Sequence, residues 1–347
     1  MTPSFSKLAT AAALVSGALA AGTRSYQLTE HYNATNFFDK FEFFVSDFDR
    51  LSEDHMAVDP THGFVDYLSR DDAFDAGLIT APGQDIAIRV DSTNNYVRGR
   101  ASVRLESHTR YNDGLIIAHF THFPKPVCGA WPAFWMYGPN WPHGGELDIY
   151  EKWNLSPTNS ITAHTAGPND IGACTLDQSL SPATSDCWIS SPTQWPNEGC
   201  SVTETNGQWG NPEGGVYAVE WTESALKVWS WPVNSIPQDI VDGTPDPSTW
   251  QNPHFFLNEN TCDVPSAFKD MRLVIDVTFC GDAAGNEGLW GNSATDTSKC
   301  SGITGQTWCP TYVNYHASEY ADVYWEVEEI KHYRLQQTPQ PSSSSAV

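Results

Sequence analysis

The sequence predicts an all-β fold, a sandwich or barrel of many short strands. From about Tyr26 to Arg334, short apolar stretches alternate with polar positions and are punctuated by Gly, Pro, Asn and Asp. Many of these stretches carry β-branched or aromatic residues. No helical stripe of twelve or more residues stands out beyond the N-terminal segment.

In chain order, Ala101-Ser-Val-Arg-Leu-Glu-Ser, Gly114-Leu-Ile-Ile-Ala-His-Phe, Val216-Tyr-Ala-Val-Glu-Trp, Ala225-Leu-Lys-Val-Trp-Ser-Trp, Arg272-Leu-Val-Ile-Asp-Val-Thr-Phe and Val323-Tyr-Trp-Glu-Val-Glu-Glu-Ile read as strands. Short strands separated by turn signals are the pattern of sandwiches and barrels. A strand run lies near each end of the expected mature chain, and no repeat or linker interrupts it. One domain over residues 21–335 is therefore expected, with termini that pair within the sheets.

Residues 1–20 read as an export signal. Lys7 is the basic start, Leu8 to Leu19 is small and apolar, and Ala18-Leu-Ala20 supplies a small-x-small cleavage site. The apolar run is too short to span a bilayer, and no later stretch is long and apolar enough. A secreted, extracellular protein is expected. The tail, 336–347, is rich in Gln, Pro and Ser and is expected to be disordered. It lacks the apolar end of a lipid-anchor signal.

Composition narrows the partners. Hydrophobic residues make up 40% of the 347, enough for a core, and charged residues only 17%, which argues against a disordered chain. The formal net charge is −24, or −25 once Lys7 leaves with the signal. Such a chain is repelled by nucleic acid and by anionic membranes, while neutral polysaccharides remain compatible. All eight cysteines follow the signal, and an even number in an exported chain suggests disulfides. About a hundred pairings are open, and the sequence does not choose among them. No CxxC pair or His spacing favours zinc. Asn33-Ala-Thr and Asn154-Leu-Ser are candidate glycan acceptors.

The chemistry concentrates in Gly145-Glu-Leu-Asp-Ile-Tyr-Glu-Lys-Trp153. In a flat strand Glu146 and Asp148 share a face, and Glu151 points the other way. One extra residue, a β-bulge at Ile149 or Tyr150, would bring Glu151 back to the face of the other two. Three neighbouring carboxylates raise one another's pKa values. Glycoside hydrolysis uses that: one ionised carboxylate attacks the anomeric carbon and a protonated one assists the leaving oxygen. Retaining enzymes hold the pair about 5–5.5 Å apart and inverting enzymes about 6.5–9.5 Å. Two Glu on one strand suit the shorter spacing, with Asp148 between them to orient the nucleophile. Trp131, Trp135, Trp141 and Trp153 crowd the cluster in sequence, and aromatic faces stack on sugar rings.

These residues resemble a known family. Cys128-Gly-Ala-Trp-Pro-Ala-Phe-Trp, Gly138-Pro-Asn-Trp-Pro and Gly145-Glu-Leu-Asp-Ile-Tyr-Glu look like the fungal laminarinase-type endo-β-1,3(4)-glucanases of glycoside hydrolase family 16. Asp59-Pro-Thr-His-Gly-Phe-Val-Asp-Tyr, Gly99-Arg-Ala-Ser-Val-Arg, His164-Thr, Glu220-Trp, Phe279-Cys-Gly-Asp and Tyr324-Trp-Glu follow in the family's order. The resemblance implies a concanavalin-like jelly-roll sandwich of two curved antiparallel sheets with an open cleft. It implies retaining, endo-acting cleavage of β-1,3 or mixed β-1,3/1,4-glucans. This chemistry needs no cofactor or catalytic metal, a monomer is expected, and a structural calcium ion is left open by the sequence. It assigns Glu146 as nucleophile, Asp148 as its assistant and Glu151 as general acid/base, with Trp131, Trp135, Trp141 and His164 in the cleft.

Departures from the family lie beyond the acids, at Asp66, at Lys152 and Trp153, and at Ala283, where the family often has Trp. Lys152 and Trp153 bear on the substrate subsites. Two other readings share the same sandwich: a transglycosylase, in which a sugar replaces water as acceptor, and a lectin-like binder. The intact acid pair argues against the binder.

Overall fold

The computed structural model describes residues 25–50, 58–96 and 98–336. The expected signal, 1–20, and the tail beyond Gln336 lie outside the described residues.

Two antiparallel sheets form the body. The back sheet runs in the order β1 (Ser25–Tyr32), β16 (Tyr324–Gln336), β7 (Gly114–His122), β12 (Gly215–Thr222), β13 (Ala225–Pro232) and β14 (Phe255–Asn258). A short strand, β4 (Ile86–Arg89), pairs with the start of β16. The front sheet runs β11 (Cys200–Glu204), β10 (Asn159–His164), β9 (Glu146–Glu151), β8 (Ala130–Tyr137), β15 (Arg272–Phe279), β6 (Arg104–Ser107) and β2 (Phe41–Phe44). The terminal strands do pair: Ser25 stands opposite Gln336. Gln336 thus belongs to β16, one residue past the expected end of ordered chain.

One expected strand divides. Ala101–Ser107 reads as continuous alternation, but the chain changes partner at Val103. β5 (Arg100–Ser102) pairs in parallel with β3 (Val65–Tyr67), and β6 joins the front sheet. Helical pieces among the described residues are short, the longest being Cys309–Tyr315.

The core lies between the sheets. From the front come Leu147, Ile149 and Tyr150, all fully buried. Tyr150 meets Phe123 at 4.8 Å and Trp325 at 5.0 Å between ring centroids, and its hydroxyl accepts from the Gly210 amide at 2.9 Å. Burying side chains of this size stabilises by about 1.5–3 kcal/mol each. That holds one face of β9 inward and leaves its carboxylate face free. A second cluster, including Trp229 and Trp231, covers the outer face of the back sheet under Ile236, Ile240 and Trp250. Part of the chain's tryptophan is therefore core: Trp221, Trp229, Trp231, Trp290 and Trp325 are buried.

All eight cysteines pair, as Cys128–Cys300, Cys174–Cys262, Cys187–Cys200 and Cys280–Cys309.

Candidate active site

Gly145 opens the strand that carries the acids. Its φ of +75° suits glycine, and a Cβ there would lie 2.4 Å from the Ala267 carbonyl oxygen. The chain then enters β9.

Register settles the direction of the carboxylates. Across β8, Glu146 stands opposite Tyr137, Asp148 opposite Trp135, and Glu151 opposite Ala133. The odd-numbered residues of β8 share one face, and cross-strand partners share it too. Between Asp148 and Glu151, β9 has two residues where β8 has only Phe134. Phe134 pairs with Tyr150, so Ile149 is the extra residue. On the other side, β10 likewise spends only Ile161 between the partners of Asp148 and Glu151. The bulge expected after Asp148 is present, and the three carboxylates face one way.

Their environments differ. Asp148 is buried, and its pKa stands well above the usual carboxylate range. Burial is the main cause, followed by the charges of Glu151 and Glu146 and a side-chain interaction with Glu146 that acts in the same direction. Glu151 is half-buried and also raised, first by burial. The Trp131 indole opposes this by donating to Glu151 Oε1 at 2.8 Å, and the charges of His164 and Lys152 oppose it further. The Trp141 indole donates to Glu146 Oε2. Chemically, the arrangement sets two carboxyl groups whose protonated forms are favoured by burial beside a third that accepts a hydrogen bond from Trp141.

The remaining candidates gather around these acids. His164 pairs with Glu146 across β10, and its Nε2 lies 3.2 Å from Asp148 Oδ2, off the line that a hydrogen bond needs. Trp153 packs edge-on to Trp131 at 6.1 Å, and the Lys152 ammonium sits 4.6 Å above the Trp153 ring. Burial lowers the Lys152 pKa, and the charges of Glu151 and Asp148 resist this. Trp135 is less a free platform than a wall: Arg104 stacks on it at 5.0 Å, and its indole donates to Asp276 Oδ2 at 3.2 Å.

Asp276 is a site residue that sequence patterns did not single out. It stands opposite Ala133 on β15, in the row of Glu151, and only 5% of its surface is exposed. Burial pushes its pKa up to about 7, against the pull of Arg104 and the Trp135 indole. An Asp inside the otherwise apolar run Leu-Val-Ile-Asp-Val was the available signal.

Asn154 is corrected as a glycan acceptor. It is buried with φ +56°, its Oδ1 accepts from the Gly129 amide at 2.7 Å, and its Nδ2 donates to the Ala284 carbonyl at 3.0 Å. The side chain locks two loops, and a glycan has no room there.

Oxygen and nitrogen atoms of Glu146, Asp148 and His164 lie within 4.8 Å of one another, a set that could hold a divalent cation. Burial and the charges of Glu151 and Glu146 favour the protonated form of Asp148, which opposes a cation there.

A family model described as "XgeA-like, catalytic GH16 domain" matches residues 55–333. The chain belongs to glycoside hydrolase family 16. Its family 16 relatives include a probable endo-1,3(4)-β-glucanase of Aspergillus clavatus, 38% identical over 99% of this chain and 53% of that one. A probable glycosidase of Schizosaccharomyces pombe is 32% identical over 90% of this chain and 70% of that one. The chain spans about half the length of the curated Aspergillus relatives. Among solved structures, an elongating family 16 β-1,3-glucosyltransferase is 34% identical, with a TM-score of 0.75 over 89% of this chain and 100% of that one. Laminarinase 16A of Phanerochaete chrysosporium, with β-glucans in donor and acceptor sites, is 29% identical, with a TM-score of 0.76 over the same shares. The jelly-roll sandwich is thus the fold of this family 16 chain. The departing Asp66 is half-buried on β3, and Ala283 is buried in the helix Gly281–Ala284.

Proposed function

We propose that this protein is a retaining endo-β-1,3(4)-glucan hydrolase, exported and monomeric, that works without a cofactor. The observation that carries the reading is the bulge at Ile149, which sets Glu146, Asp148 and Glu151 on one face.

In the first step Glu146 attacks the anomeric carbon while Glu151 gives its proton to the leaving glycosidic oxygen. In the second, Glu151 takes a proton from water, which attacks the glycosyl-enzyme and releases Glu146. Asp148, holding a proton toward Glu146, orients the nucleophile and stabilises it as it leaves. Trp131, Trp141, Trp153, Lys152 and His164 would contact sugar around these groups. Residues 1–20 direct export, four disulfides suit an oxidising compartment, and Asn33 remains the glycan candidate.

A second reading is transfer to a sugar acceptor through the same intermediate. The glucosyltransferase neighbour favours it, together with Lys152 and Trp153 beside the acid/base. One experiment separates the readings: incubation with laminarin, lichenan and a β-1,4-glucan, followed by product lengths. Shorter internal fragments support hydrolysis. Products longer than the substrate support transfer. No new chain ends with any substrate would refute both.

A further inference from the structure

Trp308 is 67% exposed. A lone exposed ring needs no explanation, but this one stands at a built pocket. A cavity of about 310 Å³ opens between Trp308, Pro310, His62, Gly63, Asp282 and Gly285. The volume is at the lower end of the range for small-ligand sites, about 300–1,000 Å³.

The covalent frame holds the ring in place. The Cys280–Cys309 disulfide joins the residue after Trp308 to the end of β15, with Cα atoms 5.8 Å apart. Gly63 forms a bridge with Cys280, and the Asp282 amide donates to the Thr61 carbonyl at 2.9 Å. Gly281 has φ +60°, and a Cβ there would lie 2.5 Å from the Thr61 oxygen. The 59–63 loop and the 280–285 turn are thus one rigid rim. Across it, His62 Nδ1 and Asp282 Oδ2 pair at 2.8 Å, both exposed.

The rim continues the acid-bearing surface. On β15, Asp276 is in the row of Glu151, and Thr278 stands opposite Trp131. Cys280 follows two residues later, its amide donating to the Gly129 carbonyl at 2.9 Å. Four residues from Asp276 to Cys280 span about 13 Å at about 3.3 Å each. The pocket therefore lies a few sugar units from the carboxylates.

We propose that Trp308, His62 and Asp282 form a distal subsite for a neutral glucosyl residue of the substrate chain, on the reading that the substrate is a β-glucan. The indole face takes the apolar C–H face of the ring, and the imidazole–carboxylate pair takes adjacent hydroxyl groups. The carboxylate at the rim and the chain's net charge of −24 disfavour an anionic occupant.

The test is the kinetics of wild type, Trp308→Ala and Asp282→Ala on β-1,3-glucan oligosaccharides from the trimer to the octamer. The expected result is a fall of about tenfold in kcat/KM on the longest substrates, carried by KM, the change that about 1.4 kcal/mol produces. Activity on the shortest cleavable oligomer should be unchanged, which also shows an intact fold. Equal rates at every length, or an equal loss at every length, would overturn the subsite. If wild type cleaves none of the oligomers, the hydrolase reading itself fails. Calorimetric binding of the heptamer to wild type and to Trp308→Ala then decides the subsite separately: about tenfold weaker binding by the variant supports it, and equal affinity or no binding by either protein overturns it.

Discussion

The indole N–H of Trp131 donates to Oε1 of Glu151 at 2.8 Å. This bond joins the two ends of the candidate site's electrostatics. Burial pushes Glu151 toward its protonated form, and a donor aimed at the carboxylate pulls it back. A general acid needs a proton at working pH, and the second step needs the same group to lose it easily.

Trp131→Phe keeps an aromatic ring and deletes the donor. The Glu151 pKa should rise further, because one of the opposing causes is gone. In the pH profile of kcat/KM, the alkaline limb reports loss of the acid's proton. That limb is expected to move to higher pH in Trp131→Phe. A limb that stays in place, or moves to lower pH, would show that another group sets it.

Asp276 makes a stability prediction with a definite sign. Its folded-state pKa of about 7 lies above the unfolded value of about 3.9. Between these values the native state holds a proton that the unfolded chain has lost. Its contribution is therefore fully present below about pH 4 and is lost as pH rises toward 7. Asp276→Asn imitates the protonated form, and Arg104 keeps Glu106 at 3.0 Å as a partner. The variant should be more stable than wild type at pH 8 by up to a few kcal/mol, since each tenfold difference in proton affinity between the folded and unfolded chain is worth about 1.4 kcal/mol. At pH 4 the two should match. Thermal midpoints at both values check this, and a variant less stable at pH 8 would contradict it.

Glu146, Asp148 and His164 could in principle hold a cation. The proposed chemistry instead requires Glu146 free to attack. Exhaustive dialysis against a chelator is expected to leave kcat unchanged, and excess zinc is expected to inhibit by capturing the trio. Loss of activity on chelation, restored by a metal, would reassign the cluster.

The legible parts were those decided by local arithmetic. The spacing of Glu146, Asp148 and Glu151 demands one extra residue, and the ladder places it at Ile149. Strands such as Arg272–Phe279 follow from their β-branched content. The illegible parts depended on residues far apart in the chain. Asp276 acquires its character from burial between strands distant in the chain, opposed by Arg104 and Trp135 on two of them. Asn154 matches a local acceptor triplet, yet its amide is spent on Gly129 and Ala284, and only packing reveals that. The break at Val103 is invisible to alternation, because both halves alternate and only their partners differ.

The central claim is the division of labour between Glu146 and Glu151, and azide rescue tests it most directly. Glu146→Ala and Glu151→Ala would each be assayed on an activated β-glucoside oligomer with added azide, and the product's anomeric configuration read by NMR. With Glu146 as nucleophile, azide attacks directly in Glu146→Ala and gives the α-glycosyl azide. In Glu151→Ala the covalent intermediate still forms, and azide opens it to the β-glycosyl azide. The reverse assignment, or the same anomer from both variants, would contradict the account.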